Sequence, residues 1–286
     1  MSAFHYGGQA LLEGVMIRGR QAMVAAVRAP SGEIVLHEEH LPAGRGWGRW
    51  PFLRGLRSLW ETLQLGMRAL TFSADVATGQ FEKKAGPGWI TGTVILALLF
   101  GIGLFFVVPL LLARLAERVI NAPWQRTLLE GFIRLAIILL YIVLVAQLRD
   151  IHRVFAYHGA EHKAVNALES GAALEVEQVR GYSTAHTRCG TAFLLLVVVI
   201  CVLVFAPFGV LPFGWRIVSR VLLVPVVAAI SYELMRLGAN HAGRPWVRTL
   251  LSPALFLQRL TARPPDDAML EVALAALRRA RELDTT

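Results

Sequence analysis

Residues 89–112 read WITGTVILALLFGIGLFFVVPLLL, without one charged side chain. About 20 consecutive apolar residues carry a helix across the hydrocarbon core of a bilayer. This stretch therefore decides the fold: it predicts a membrane-crossing helix rather than the interior of a soluble domain. Three further blocks extend the reading. GFIRLAIILLYIVLVAQL (131–148) is shorter and holds Arg134 near one end, where a long side chain can snorkel towards the headgroups. GTAFLLLVVVICVLVFAPFGVLPF (190–213) is again uncharged, and IVSRVLLVPVVAAISYELM (217–235) is the weakest, with Arg220 and Glu233 near its ends. The alternative for the second and fourth blocks is a buried helix of a soluble domain. Charge in lipid costs roughly 2.5–3.5 kcal/mol and has to face protein or water.

Composition agrees with four spans. The chain has 286 residues, of which 55% are hydrophobic and 17% charged, against about 45–50% and 25% in ordinary soluble domains. Lys and Arg number ten in 1–88, three in 113–130, five in 149–189 and eight in 236–286. Four spans place the three richer regions on one face, and the positive-inside rule makes that face cytoplasmic. Both termini are then cytoplasmic. The first tail lacks the layout of a cleaved signal peptide. The net charge of +9 reads as inside bias and attraction to anionic lipid, and no motif supports specific nucleic-acid binding. Two cysteines form no disulfide framework: Cys201 reads as an apolar packer inside the third span, and Cys189 stands at its cytoplasmic edge.

The regions outside the spans carry their own patterns. AMVAAVR and EIVLHEEHL, joined by the turn former PSGE, predict strands, and GGQALLEGVMIRGR before them a third. GRGWGRWP (44–51) is a linker suited to headgroup level. Phe52, Leu56, Leu59, Trp60, Leu63, Met67, Leu70 and Ala74 fall on one helical stripe with Arg54, Arg57, Glu61 and Arg68 opposite, an amphipathic helix that lies on the membrane or packs against the strands. A second amphipathic helix starts near Asp266 and Asp267 and carries Met269, Leu270, Ala273, Leu274 and Leu277 on its apolar face.

The chemistry concentrates in the central segment. YHGAEHKA (157–164) places His158 and His162 four apart, hence on one face of a helix, with Glu161 beside them. HTRCGT follows, with His186 and Cys189 three apart. Together they read H-x3-H and H-x2-C, nitrogen and sulfur donors that suit a tetrahedral divalent cation, zinc above all. The order His158-Gly-Ala-Glu161-His162 also fits the inverted zincin pattern H-x-x-E-H. There the two histidines bind metal and Glu161 is the general base that activates water. A third ligand would come from His186, Cys189, Glu169 or Glu233. If both His186 and Cys189 bind, the shell is closed and the site is structural. Without metal, the same residues can form a hydrogen-bonded patch or hold an organic ligand or lipid headgroup. Two further polar points are Glu13, in a glycine-flanked stretch with Arg18 nearby, which reads either as a site residue or as half of a buried salt bridge, and Glu233, which either faces the histidines or pairs with Arg236 one turn away.

GGQALLEGVMIRG (7–19), FAYHGAEHKAVNALESG (155–171), HTRCGTAFLL (186–195) and ISYELMRLG (230–238) resemble the YqhQ-like bacterial membrane proteins, a family grouped as a domain of unknown function. The likeness runs from about Tyr6 to Ala276. It implies a bacterial inner-membrane protein, and the family motifs have polar residues at His158, Glu161, His162, His186 and Cys189. Family members are sometimes labelled predicted metal-dependent enzymes, a label that rests on the same histidine motif.

The sequence thus predicts an α-helical polytopic membrane protein of about four spans with a small β-containing N-terminal part and amphipathic helices. Its regions are a β-rich cytosolic unit (1–50), an interfacial helix and linker (51–88), two spans (89–148), a histidine-rich cytosolic loop (149–189), two spans (190–235) and a cytosolic tail (236–286). Two functions are carried forward. One is a metal-dependent hydrolase at the membrane surface. The other is a non-enzymatic adaptor or assembly factor, with a protein partner or a second copy of itself, whose cluster only staples the fold. A transporter needs more intramembrane acids than a monomer of this kind has.

Overall fold

The computed structural model describes residues 4–41, 53–79, 87–116, 119–241 and 244–285. The 44–51 linker lies outside them. The N-terminal region forms a four-stranded antiparallel sheet, β1 (Gly7–Leu11), β2 (Gly14–Arg18), β3 (Ala22–Arg28) and β4 (Ile34–His40), in the order β1-β2-β3-β4. The glycine-rich stretch expected to be one strand is a hairpin of two. Its turn places Glu13 at φ 52°, a left-handed conformation that L-residues seldom adopt. Arg153 holds the Glu13 carboxylate through two contacts of 2.5 Å, and the Tyr157 hydroxyl donates to it at 3.3 Å. This corrects the expected pairing: Glu13 meets Arg153 rather than Arg18, and Arg18 meets Glu61 at 3.5 Å.

β3 is buried from Ala22 to Val27, a continuous apolar run because both faces of the sheet are covered. On one face lies α1 (Leu53–Thr78), which contributes Leu65, Ala69 and Val76 to a core with Leu11, Met16, Met23, Ala25 and Val27. On the other lie α5 (Arg149–Glu169) and α11 (Asp267–Thr285), packed on Val15, Ile17, Val24 and Ala26. Ala156, Ala160, Ala164 and Ala167 of α5 share that core with Ala273, Ala276 and Ala280 of α11, and such small side chains let two helices approach closely. Both amphipathic helices are therefore layers of one α/β/α unit. α1 also reaches the apolar helices, because Arg54 pairs with Glu233 at 2.5 Å and Tyr232 donates to Ser58 at 2.8 Å. Glu233 thus meets Arg54, not Arg236, and is not among the residues that line the cavity beside the histidines.

Among the described residues, three helical stretches are long and apolar enough to cross a membrane: Gly92–Arg114, Pro123–Val145 and Phe193–Val210. The first comprises α2 (Pro87–Ile102), a π segment (Gly103–Val107) and α3 (Val108–Arg114); the second is α4 (Pro123–Val145). The third begins within α7 (Gly190–Phe205) and runs through a 3-10 turn. A fourth candidate is a pair, α8 (Phe213–Leu222) and α9 (Val224–Asn240), bent by 46°. Pro225, which has no amide hydrogen to continue the preceding helix, stands just after the break. Only 11% of the first stretch is covered by protein. A further helix, α10 (Pro245–Thr261), lies in the stretch expected to be a cytosolic tail and packs on α7 and α4.

α4 starts eight residues earlier than its apolar run and so includes Glu130. Arg134 does not snorkel. It is 1% exposed, donates to Glu130 at 2.7 Å and gives its Nε to the Phe105 carbonyl at 2.8 Å within the π segment. Arg220 closes on the same carboxylate at 3.1 and 2.6 Å, with its guanidinium 4.6 Å from the Phe205 ring. Charges this deep persist only when paired and hydrogen-bonded, and these three tie α4, α8 and the π segment together.

Candidate metal centre

α5 presents His158, His162 and Asn166 at i, i+4 and i+8 along one row. Each meets backbone carbonyls of segments distant in sequence. His158 Nδ1 lies 2.8 Å from the Thr261 oxygen and His162 Nδ1 2.5 Å from the Thr184 oxygen. Asn166 donates to the Ser183 and Ala185 oxygens at 2.9 and 3.1 Å. A carbonyl only accepts, so in each neutral imidazole Nδ1 carries the proton and Nε2 keeps its lone pair. Gly159 lets α5 approach this closely: a Cβ there would collide with the Arg263 carbonyl.

Cys189 comes to the same place as the N-cap of α7, where its Sγ accepts from the Thr191 amide at 3.4 Å. Sγ is 3.3 Å from His158 Nε2. One donor atom each from His158, His162 and Cys189 fall within 4.8 Å of one another. Two free imidazole nitrogens and a thiol at that separation fit a divalent cation with one coordination position left over. Two backbone carbonyls already orient the rings, as the outer partners of metal-bound histidines do.

His186 is the expected ligand outside the three-donor set, although its ring lies 5.7 Å from that of His162. It is buried, but its Nε2 points to Glu169 at 3.5 Å, and its backbone is clamped by Gln258. Burial would raise the Glu169 carboxyl. The hydrogen bond from His186 and the charges of Arg188, His186 and His5 outweigh it and hold that carboxyl below the usual carboxylate range. Glu169 is thereby committed to His186 and Arg188 and is not part of the three-donor group.

Glu161 is 6% exposed, and no hydrogen bond or ion pair to it is found among the described residues. It lines a cavity of about 270 Å³ with His158, His162, Cys189, His186 and the start of β1. A buried carboxylate normally has partners; here its free face is the cavity. Arg18 lines the same cavity, while Glu13 and Glu233 do not. The partners invisible in the sequence are Thr184, Thr261 and Gln258. Two of them act through backbone carbonyls, which no side-chain pattern encodes.

Residues 50–283 match the family model described as "Protein of unknown function (DUF1385)". The chain is 34% identical over 285 residues to "Uncharacterized protein YqhQ" of Bacillus subtilis (strain 168), covering 94% of this chain and 90% of that protein. No solved structure matches. The chain belongs to the DUF1385 family.

Proposed function

We propose that this member of the family is a metal-dependent hydrolase of the bacterial cytoplasmic membrane, with its site on the cytoplasmic face. His158 Nε2, His162 Nε2 and Cys189 Sγ would hold the ion, and the nitrogen–sulfur donor set favours zinc. A cation there supplies Lewis acidity to the bond being cleaved. Glu161 takes the proton from the attacking water and passes it to the leaving group. The observation that carries this reading is the pairing of a three-donor cluster with a buried carboxylate that has no other partner among the described residues. A closed structural site would need a fourth protein donor, and His186, the other histidine lining the cavity, is turned to Glu169.

Elemental analysis of the detergent-purified protein tests the first half: one equivalent of zinc in wild type, lost in a His158→Ala/His162→Ala variant, is expected. Glu161→Gln should keep the metal and lose hydrolysis. A metal-free wild type after zinc reconstitution would overturn the proposal and favour the stapling role, for which the Thr191–Thr261 hydroxyl contact at 3.2 Å beside Cys189 also speaks.

A further inference from the structure

The cavity beside Glu161 is bounded on one side by a sheet edge. β1 is an outer strand, and Tyr6, Gly7, Gly8 and Gln9 line the cavity. Arg28 N donates to Glu13 O at 2.8 Å, so the flanking Gly14–Val27 pair is the kind that exchanges no bonds and Gly14 turns its polar groups to β1. Alternation along β2 then directs Gly14, Met16 and Arg18 at Leu11, Gln9 and Gly7. Gly8 and Ala10 are left with N–H and C=O aimed outward, and no hydrogen bond to them is found among the described residues. Gly8 stands over the carboxylate: a Cβ there would lie 3.2 Å from Glu161 Cγ and would collide with the Met16 carbonyl.

The two outer strands differ in character. β4 carries His37, Glu38, Glu39 and His40, charged or ionisable side chains of the kind that protect an edge from pairing. β1 reads GGQAL and has no such protection. The two arginines of the cavity already pair with carboxylates, Arg18 with Glu61 and Arg188 with Glu169; Arg188 Nε alone is buried without a partner among the described residues, so the wall offers a phosphate no unneutralised guanidinium. What it offers is a row of main-chain donors and acceptors at strand spacing, and an extended polypeptide has the complementary row.

We infer that the substrate is an extended segment of another protein, added to the free edge of β1 as a fifth strand, so that one of its peptide bonds lies between the metal cluster and Glu161. This rests on the hydrolase reading above. In the step, the oxygen of water bonds to the peptide carbonyl carbon and the C–N bond breaks. The proton taken by Glu161 goes to the departing nitrogen.

The test uses the full-length, zinc-loaded protein. Its probes are a capped hexapeptide of alternating alanine and valine, the same peptide ending in a hydroxamate, copies of both N-methylated at alternate amides, and acetohydroxamate alone. The hydroxamate peptide should bind at least about tenfold more tightly than acetohydroxamate, the gain expected of a few main-chain hydrogen bonds. N-methylation should abolish the gain. Gly7→Trp should abolish it too while keeping the metal, since a Cβ at Gly7 meets nothing within 4 Å. Equal binding of the two hydroxamates, or a gain that survives N-methylation, would overturn the edge pairing and leave the metal reading standing. If no zinc is held, the metal reading fails and the plain hexapeptide still decides the edge: slowed hydrogen exchange at Gly8 and Ala10 upholds it, and unchanged exchange overturns it.

Discussion

Gln258 clasps the backbone of His186 from both sides: its Oε1 accepts from the His186 amide and its Nε2 donates to the His186 carbonyl, each at 2.9 Å. The glutamine comes from α10 and is 1% exposed. It holds the 183–189 segment, which delivers the Thr184 carbonyl to His162 and Cys189 to the cluster.

Gln258→Ala leaves the buried His186 amide without its partner, at about 1–3 kcal/mol, and the His186 carbonyl with only the Cys189 amide at 3.3 Å. Thermal unfolding should drop accordingly. Zinc affinity, measured by competition with a chromophoric chelator, should fall about tenfold, as it does when outer partners of a metal site are removed. Unchanged affinity would show that the segment is held in place by other contacts.

The ligand set is tested by comparing two histidines that the sequence treats alike. His158→Ala should lose the metal, whereas His186→Ala should retain it, because His186 Nε2 faces Glu169 rather than Cys189. Metal content of the two purified variants decides this. Loss in both would restore a four-donor, structural site.

Glu130 stands between two guanidiniums in the apolar region. Glu130→Ala strands both, and breaking a buried ion pair from one side costs about 3–5 kcal/mol. The midpoint of unfolding in detergent should fall far more than for Glu61→Ala, whose half-buried carboxylate serves Arg57 and Arg18 near the surface. Similar losses would place the charge cluster in contact with water.

Tyr6 reports on the closure of the sheet against the end of α11. Burial, then its hydrogen bond to Asp284, pushes the Tyr6 phenol up from 10.0 to about 12. A folded-state pKa above the unfolded one means the contribution is fully present below pH 10 and is lost as the pH rises towards 12. Absorbance titration of wild type against Tyr6→Phe should show one phenol ionising late, and the difference in stability between the two should shrink across that window. A phenol that ionises near 10 would mean Asp284 is held only by the Arg20 and Gln21 amides that also donate to it.

Much of the site is legible in the chain because helical periodicity is local. Residues four apart share a face whatever surrounds them, so His158 and His162 are brought together by the helix alone, and Glu161 is carried beside them. Arg134 shows where local reading stops. An arginine near the end of an apolar run suits snorkelling equally well, and only Glu130, one turn earlier, and the Phe105 carbonyl, from a different helical segment, turn it inward.

The sequence by itself determined the apolar helices and the histidine pair, since uncharged length and a period of 3.6 residues are properties of consecutive side chains. Tertiary structure decided that Cys189 joins the pair, that His186 turns to Glu169, that Glu161 keeps a free face and that β1 leaves its edge open. Those outcomes depend on backbone carbonyls and on segments up to about a hundred residues apart, whose meeting is set by packing of the whole α/β/α unit rather than by local pattern.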